Sequence, residues 1–184
     1  TSGTAPLTVQ FTDQSTNNPD GWTWYFGDET YEGEWTEQID TAEWEGRRYP
    51  AAVTMPNGNI ILMGGSRGDT PRQVNDVWRS EDDGVTWKEL PDPEWEARYG
   101  QAAVVMPDGS IILMGGSDDK YAYKNDVWRS DDGGEIWTRV AEHAEWPARY
   151  RHTSIAMPDG SIVIMGGRGE SYAYMNDVWR STDE

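Results

Sequence analysis

Three uninterrupted apolar runs, Asn59-Ile-Ile-Leu-Met63, Ser110-Ile-Ile-Leu-Met114 and Ser161-Ile-Val-Ile-Met165, stand 51 residues apart, each closed by Gly-Gly. Apolar runs this short, bounded by turn residues, predict strands covered on both faces. Before each lies a mixed run of small apolar residues: Arg48 to Met55, Arg98 to Met106 and Arg149 to Met157. The intervening Pro56-Asn-Gly58, Pro107-Asp-Gly109 and Pro158-Asp-Gly160 have the chemistry of tight hairpin turns. Downstream, Asn75-Asp-Val-Trp-Arg-Ser80 returns at Asn125 and at Asn176. Its Val-Trp pair predicts a third strand, and a loop of Asp and Gly leads to a fourth around Trp87 and Trp137.

Four short strands in a unit of 50 to 51 residues describe a propeller blade, which buries its faces only against copies of itself. Helical repeats are excluded, because no unit carries an apolar stripe at 3.6 spacing and Gly and Pro interrupt every unit. The expected fold is all-β, with blades at 48–90 and 98–140 and an incomplete blade at 149–184. A fourth strand at 33–39 belongs to a preceding blade: Glu34-Trp-Thr-Glu-Gln-Ile39 followed by Ala42-Glu-Trp44 reads like Thr86-Trp-Lys-Glu-Leu90 followed by Pro93-Glu-Trp95. The chain thus encodes three blades, one of them split. Propellers typically have four to eight blades, so the expectation is a homodimer closing one six-bladed ring by strand exchange. A head-to-tail filament and a fragment of a longer propeller are the rivals.

The unit resembles the kelch repeat over residues 44 to 184, through the apolar run before Gly-Gly, the Asn-Asp-Val-Trp stretch, the outer-strand Trp and the Arg-Tyr that opens each unit. One loop departs from it. Ser80-Glu-Asp82-Asp-Gly84-Val-Thr-Trp87 and Ser130-Asp-Asp132-Gly-Gly134-Glu-Ile-Trp137 resemble the Asp-box of sialidase-type propellers. Its Ser and Asp side chains are expected to bond turn amides while Gly supplies the unusual backbone angle and Trp packs beneath. Residues 1–32, with Ala5 to Ser15 and Gly21 to Asp28, are similar to the first half of a PKD domain, an immunoglobulin-like module. Together these resemblances imply a secreted or surface-anchored protein of archaea or bacteria.

Composition narrows the functional classes. A net charge of −18 disfavours nucleic acid and anionic membranes. The absence of cysteine removes disulfides, thiolate metal sites and a cysteine nucleophile. No apolar run reaches membrane-spanning length, and the first residues lack the regions of a signal peptide, so the expectation is a soluble chain, mature or excised.

Candidate ligand contacts are Arg48, Arg98 and Arg149, with Trp44, Trp95 and Trp146 just before them. Since one recurs in each blade, the arginines are also expected to bond Asp76, Asp126 and Asp177. The less regular loops place Tyr121, Tyr123, Tyr172 and Tyr174 beside charges, which suits sugar stacking or a protein contact. His152 is expected to stand where Ala52 and Ala102 stand, facing the central channel. Calcium is conceivable at Asp118-Asp119 and Asp131-Asp132, although the EF-hand pattern is lacking; no other cofactor is expected. A kelch-type copper oxidase is excluded for want of cysteine. The functional expectation is a non-enzymatic extracellular binding or adhesion propeller, then a structural subunit of a surface filament or coat, and last a sialidase-like glycoside hydrolase. Its expected partners are itself, glycans and surface proteins.

Overall fold

A computed structural model describes residues 35–68 and 72–182. Residues 37–184 form one compact unit, and the PKD-like segment expected at 1–32 lies outside the described residues. The chain is all-β, with one short 3-10 turn at Glu170–Tyr172. Among the described residues no helix is long and apolar enough to cross a membrane.

Each repeat folds into an antiparallel sheet. The first contains β1 (Arg47–Arg48), β2 (Ala51–Thr54), β3 (Ile60–Arg67), β4 (Arg72–Ser80) and β5 (Lys88–Glu89). The second is β6 (Ala102–Val105), β7 (Ile111–Met114), β8 (Val127–Ser130) and β9 (Thr138–Ala141), hydrogen-bonded in that order. The third joins β11 (Thr153–Ala156), β12 (Ile162–Met165) and β14 (Val178–Arg180), while β10 (Arg149–Tyr150) pairs with β13 (Arg168–Gly169). Register repeats with the sequence: Leu62 faces Trp78, Leu113 faces Trp128 and Ile164 faces Trp179 across the central pair of strands.

The apolar runs are buried on both sides because successive residues point to opposite faces. Ile111 and Leu113 join Ile61, Met63 and Val77 between the first and second sheets, whereas Ile112 and Met114 join Ile164 and Trp179 between the second and third. Burial of each such aliphatic side chain stabilises by roughly 1.5–3 kcal/mol. The edge strands β2, β6 and β11 lie side by side in series. Each Asp-Gly turn reaches back over the preceding sheet: a Cβ at Gly134 would meet Val77, Ile61 and Leu90 at 3.3–3.4 Å.

The paired glycines end the central strands where backbones converge. Gly115 has φ +62°, and a Cβ there would lie 2.9 Å from the Arg149 carbonyl oxygen. Gly115→Ala is expected to destabilise by more than about 1 kcal/mol, measured by urea unfolding, from strain and clash together.

One expectation is corrected. Residues 35–39 form no strand, although a fourth strand was expected at 33–39. A strand persists only when paired, and among the described residues the third sheet likewise ends at β14 with no outer strand beside it.

Candidate functional site

The repeated hexapeptide is a set of structural bonds. Asn125 donates its amide to the carbonyls of Ala144 and Trp146 on the loop crossing to the next sheet, as Asn75 does to Pro93 and Trp95. Asp126 accepts the Arg98 guanidinium in a bidentate pair at 2.7 and 2.8 Å, and its Oδ2 also accepts the Trp128 indole N–H at 2.8 Å. Arg98 further donates to the carbonyls of Glu96 and Gly115, so four of its N–H groups are committed. Arg149 makes the same set with Pro147, Gly166 and Asp177. Such forked charge-assisted bonds fix both partners. Burial pushes the Asp126 carboxyl up, but the Arg98 and Trp128 bonds outweigh it and hold it below the usual carboxylate range.

In the first repeat the residue in this position is Arg47, not Arg48. Arg47 donates to Glu45 and Gly64 carbonyls and to both Asp76 oxygens, whereas Arg48 is exposed. The doubled arginine shifts the Arg-Tyr dipeptide by one; the reliable ruler is the tryptophan three residues earlier. Trp44, Trp95 and Trp146 lie 5.6–6.0 Å from the guanidiniums of Arg47, Arg98 and Arg149. Trp95, Trp146, Arg98 and Arg149 are all buried, so these expected ligand contacts sit inside the scaffold.

The expected turn chemistry is visible atom by atom. Ser80 Oγ accepts the Gly84 N–H, Asp82 accepts the Thr86 N–H and hydroxyl, and the Trp87 indole donates to the Gly84 carbonyl. Ser130, Asp132, Gly134 and Trp137 repeat the arrangement. Asp131 is paired with Arg129, and Asp118 accepts the amides of Lys120 and Ala122 and the Lys124 ammonium. The Asp loops are therefore internally satisfied. Among the described residues no three His, Cys, Asp or Glu gather as a metal site.

A different group of side chains faces outward. Tyr49, Tyr99 and Tyr150 contact in series at 6.2 and 5.6 Å, and Tyr123 stacks on Tyr150 at 4.9 Å. The Arg151 guanidinium lies 3.9 Å from the Tyr49 ring centre, and that of Arg168 lies 4.6 and 5.4 Å from Tyr172 and Tyr174. Tyr174 is 86% exposed, with Tyr49, Tyr121 and Tyr172 exposed as well. Tyr49, Arg151, Tyr121 and Tyr172 all have left-handed φ of 54–62°. That conformation costs a non-glycine residue about 1–2 kcal/mol.

Residues 50–182 match the KLHDC2/KLHL20/DRC7 Kelch-repeats domain family. The chain belongs to the kelch-repeat family. Among solved structures it is similar to that described as "Structure of YjhT", at 13% identity and a TM-score of 0.62 over 73% of this chain and 48% of YjhT. The likeness shows the kelch β-propeller fold, and this chain spans about half the length of YjhT. No curated protein matches it in sequence.

Within the kelch repeat, Tyr49, Gly100 and Arg151 occupy one position. Each follows its repeat tryptophan by five residues, and they are linked in series by Gly100 N–H to the Tyr49 carbonyl and Arg151 N–H to the Gly100 carbonyl. Gly100 is the unstrained choice there, with φ +64°. The one sign in the sequence of this strained position was that glycine.

His152 also changes place. Its kelch equivalents are Pro50 and Gln101, not Ala52 and Ala102, and it is buried rather than lining a channel. Gln101 donates to the Met63 carbonyl at 2.8 Å, whereas neither His152 nitrogen has a hydrogen-bond partner. Burial, and then the Arg149 charge, push the imidazole down to about 4.

Proposed function

We propose that the chain is a non-enzymatic, extracellular or cell-surface propeller that serves as a binding or adhesion module. In this reading each chain carries three kelch-type blades, and two chains exchange an outer strand to close a six-bladed ring. The Ser80–Trp87 and Ser130–Trp137 turns are Asp-boxes acting as folding devices, and residues 1–32 are part of a PKD-like module.

The observation that supports binding is the tyrosine–arginine rim. Four non-glycine residues keep left-handed backbone there, and one repeat shows that glycine fits the same position without strain. Strain retained at exposed aromatic and cationic side chains is a mark of function rather than stability. Ring faces beside guanidiniums stack on sugars and bond their hydroxyl or carboxylate oxygens. The fitting partners are glycans or surface glycoproteins.

A glycan array followed by titration calorimetry tests this. Tyr174→Ala is expected to weaken the selected glycan about tenfold, the loss of one stacked ring. Arg151→Gly should also lose affinity while its unfolding free energy stays within about 1 kcal/mol of the parent, because relief of left-handed strain offsets the entropy of glycine. An array without binders, or equal loss of stability and affinity, overturns the reading.

The second reading, a subunit of a surface filament or coat, draws on the third sheet. Ile155 and Val178 are 48% and 66% exposed, while their counterparts Val104 and Val77 are buried against the following sheet. A head-to-tail contact there that fails to close propagates into a fibre. Electron microscopy separates ring from fibre.

A further inference from the structure

The two interfaces between successive sheets superpose residue for residue, apart from one side chain. Between the first and second sheets, Met63, Val77, Leu90, Trp95, Leu113 and Trp128 cluster with Trp137, which is 4% exposed. Their counterparts one repeat later are Met114, Val127, Val140, Trp146, Ile164 and Trp179. Those six line a cavity of about 470 Å³. No counterpart of Trp137 fills it among the described residues. The loss of cover is visible at one wall: Leu90 is 4% exposed and Val140 is 56% exposed.

We infer that this cavity is a socket for the Trp35 indole of a second copy, carried on a strand added to the edge of β14. The inference rests on the strand-exchange assembly proposed above and names its anchor. The occupant is identified by sequence spacing. Trp35-Thr36 precedes Ala42-Glu43-Trp44 just as Trp137-Thr138 precedes Ala144-Glu145-Trp146, so positions 35–44 and 137–146 agree at five places. Trp44 stands edge-on to Trp87 at 6.0 Å, as Trp95 does to Trp137 at 6.1 Å, so residue 44 begins the first sheet as residue 95 begins the second. The socket lies at the third sheet, two places along the series β2, β6, β11. The segment before Trp44 therefore meets a third-sheet socket most directly on another chain. A large, stiff indole entering a preformed apolar cavity is the usual form of an interface hot spot.

The pairing in the second sheet supplies a register for the test. Arg129 faces Thr138 there, which translates to Arg180 facing Thr36 in the exchanged strand. Opposed residues in antiparallel strands have Cα atoms about 4.5–5.5 Å apart, within disulfide reach. The parent chain has no cysteine, so Thr36→Cys and Arg180→Cys introduce the only thiols.

An equimolar mixture of the two single variants, oxidised, is expected to give a covalent species of twice the chain mass joining one variant to the other. Each variant alone should give none. Trp35→Ala is expected to weaken association at least about thirtyfold in sedimentation velocity. A disulfide within one chain of the double variant, with no cross-link in the mixture, places the chain's own segment in the socket and overturns the inference. Assembly that neither cross-links at these positions nor responds to Trp35→Ala also overturns it while leaving strand exchange through other residues standing. A parent protein that stays monomeric at high concentration sinks both the socket and the assembly.

Discussion

Arg98→Ala is expected to destabilise the protein by about 3–5 kcal/mol, as a fall in the urea midpoint at unchanged slope. The guanidinium is buried, and its removal leaves the Asp126 carboxylate with only the Trp128 indole for compensation. It also strips the Glu96 and Gly115 carbonyls of a donor and uncovers one face of Trp95. The double variant Arg98→Met with Asp126→Leu should cost less than the sum of the two single changes by about 1–3 kcal/mol, since a charge is no longer stranded. Arg47→Ala should resemble Arg98→Ala, because its side chain is equally buried against Asp76. Arg48→Ala, one residue along and exposed, should stay within about 0.5 kcal/mol. Equal effects at positions 47 and 48 would refute the repeat alignment given above.

Acidification is expected to remove about 3 kcal/mol of stability between roughly pH 6.5 and 4 through His152 alone. Its folded pKa is depressed to about 4, while the unfolded imidazole titrates near the ordinary value of 6.5. Between those values the unfolded state binds a proton that the folded state refuses, so stability falls as pH falls and is fully present above the window. Below it, the carboxylates of Asp76 and Asp126, held under their usual range, take over the loss. His152→Gln separates the two. Glutamine at this position can donate to the Met114 carbonyl as Gln101 does to that of Met63, adding about 1 kcal/mol at neutral pH. The variant should hold its stability flat from pH 6.5 to 4. A parent-like slope in that range would show that other groups carry it.

The strands were legible because their signal is purely apolar. Ile-Ile-Leu-Met followed by Gly-Gly, a Pro-Asx-Gly turn before it and Val-Trp after it leave little choice of fold or order. The Ser-x-Asp-x-Gly-x-x-Trp turns were legible for a related reason, since every bond in them is local. Polar partners between distant positions were harder. Arg47-Arg48-Tyr49 offers two arginines for one buried place, and only the three-residue spacing from Trp44 distinguishes them. The same slip displaced His152, whose counterparts Pro50 and Gln101 share no chemistry with it. The rim was half legible: Tyr121, Tyr123, Tyr172 and Tyr174 stand out, but Tyr49 and Arg151 become notable only when their backbone angles are known. The cavity at Trp146 and Trp179 could not be read as a volume, although the interruption of the third repeat pointed toward it.

The Asp-Gly turn around Gly134 rests on Val77, Ile61 and Leu90 rather than on its own sheet. The segment that gene duplication would copy is thus not the segment that packs. A copied unit carries half of one junction and half of the next, and its worth depends on the neighbour into which its tryptophan reaches. Selection can then alter the surface loops of one copy freely, but a change under the turn of one unit must be answered in the unit before it. In such an array, inherited change is expected to travel in pairs of adjacent copies.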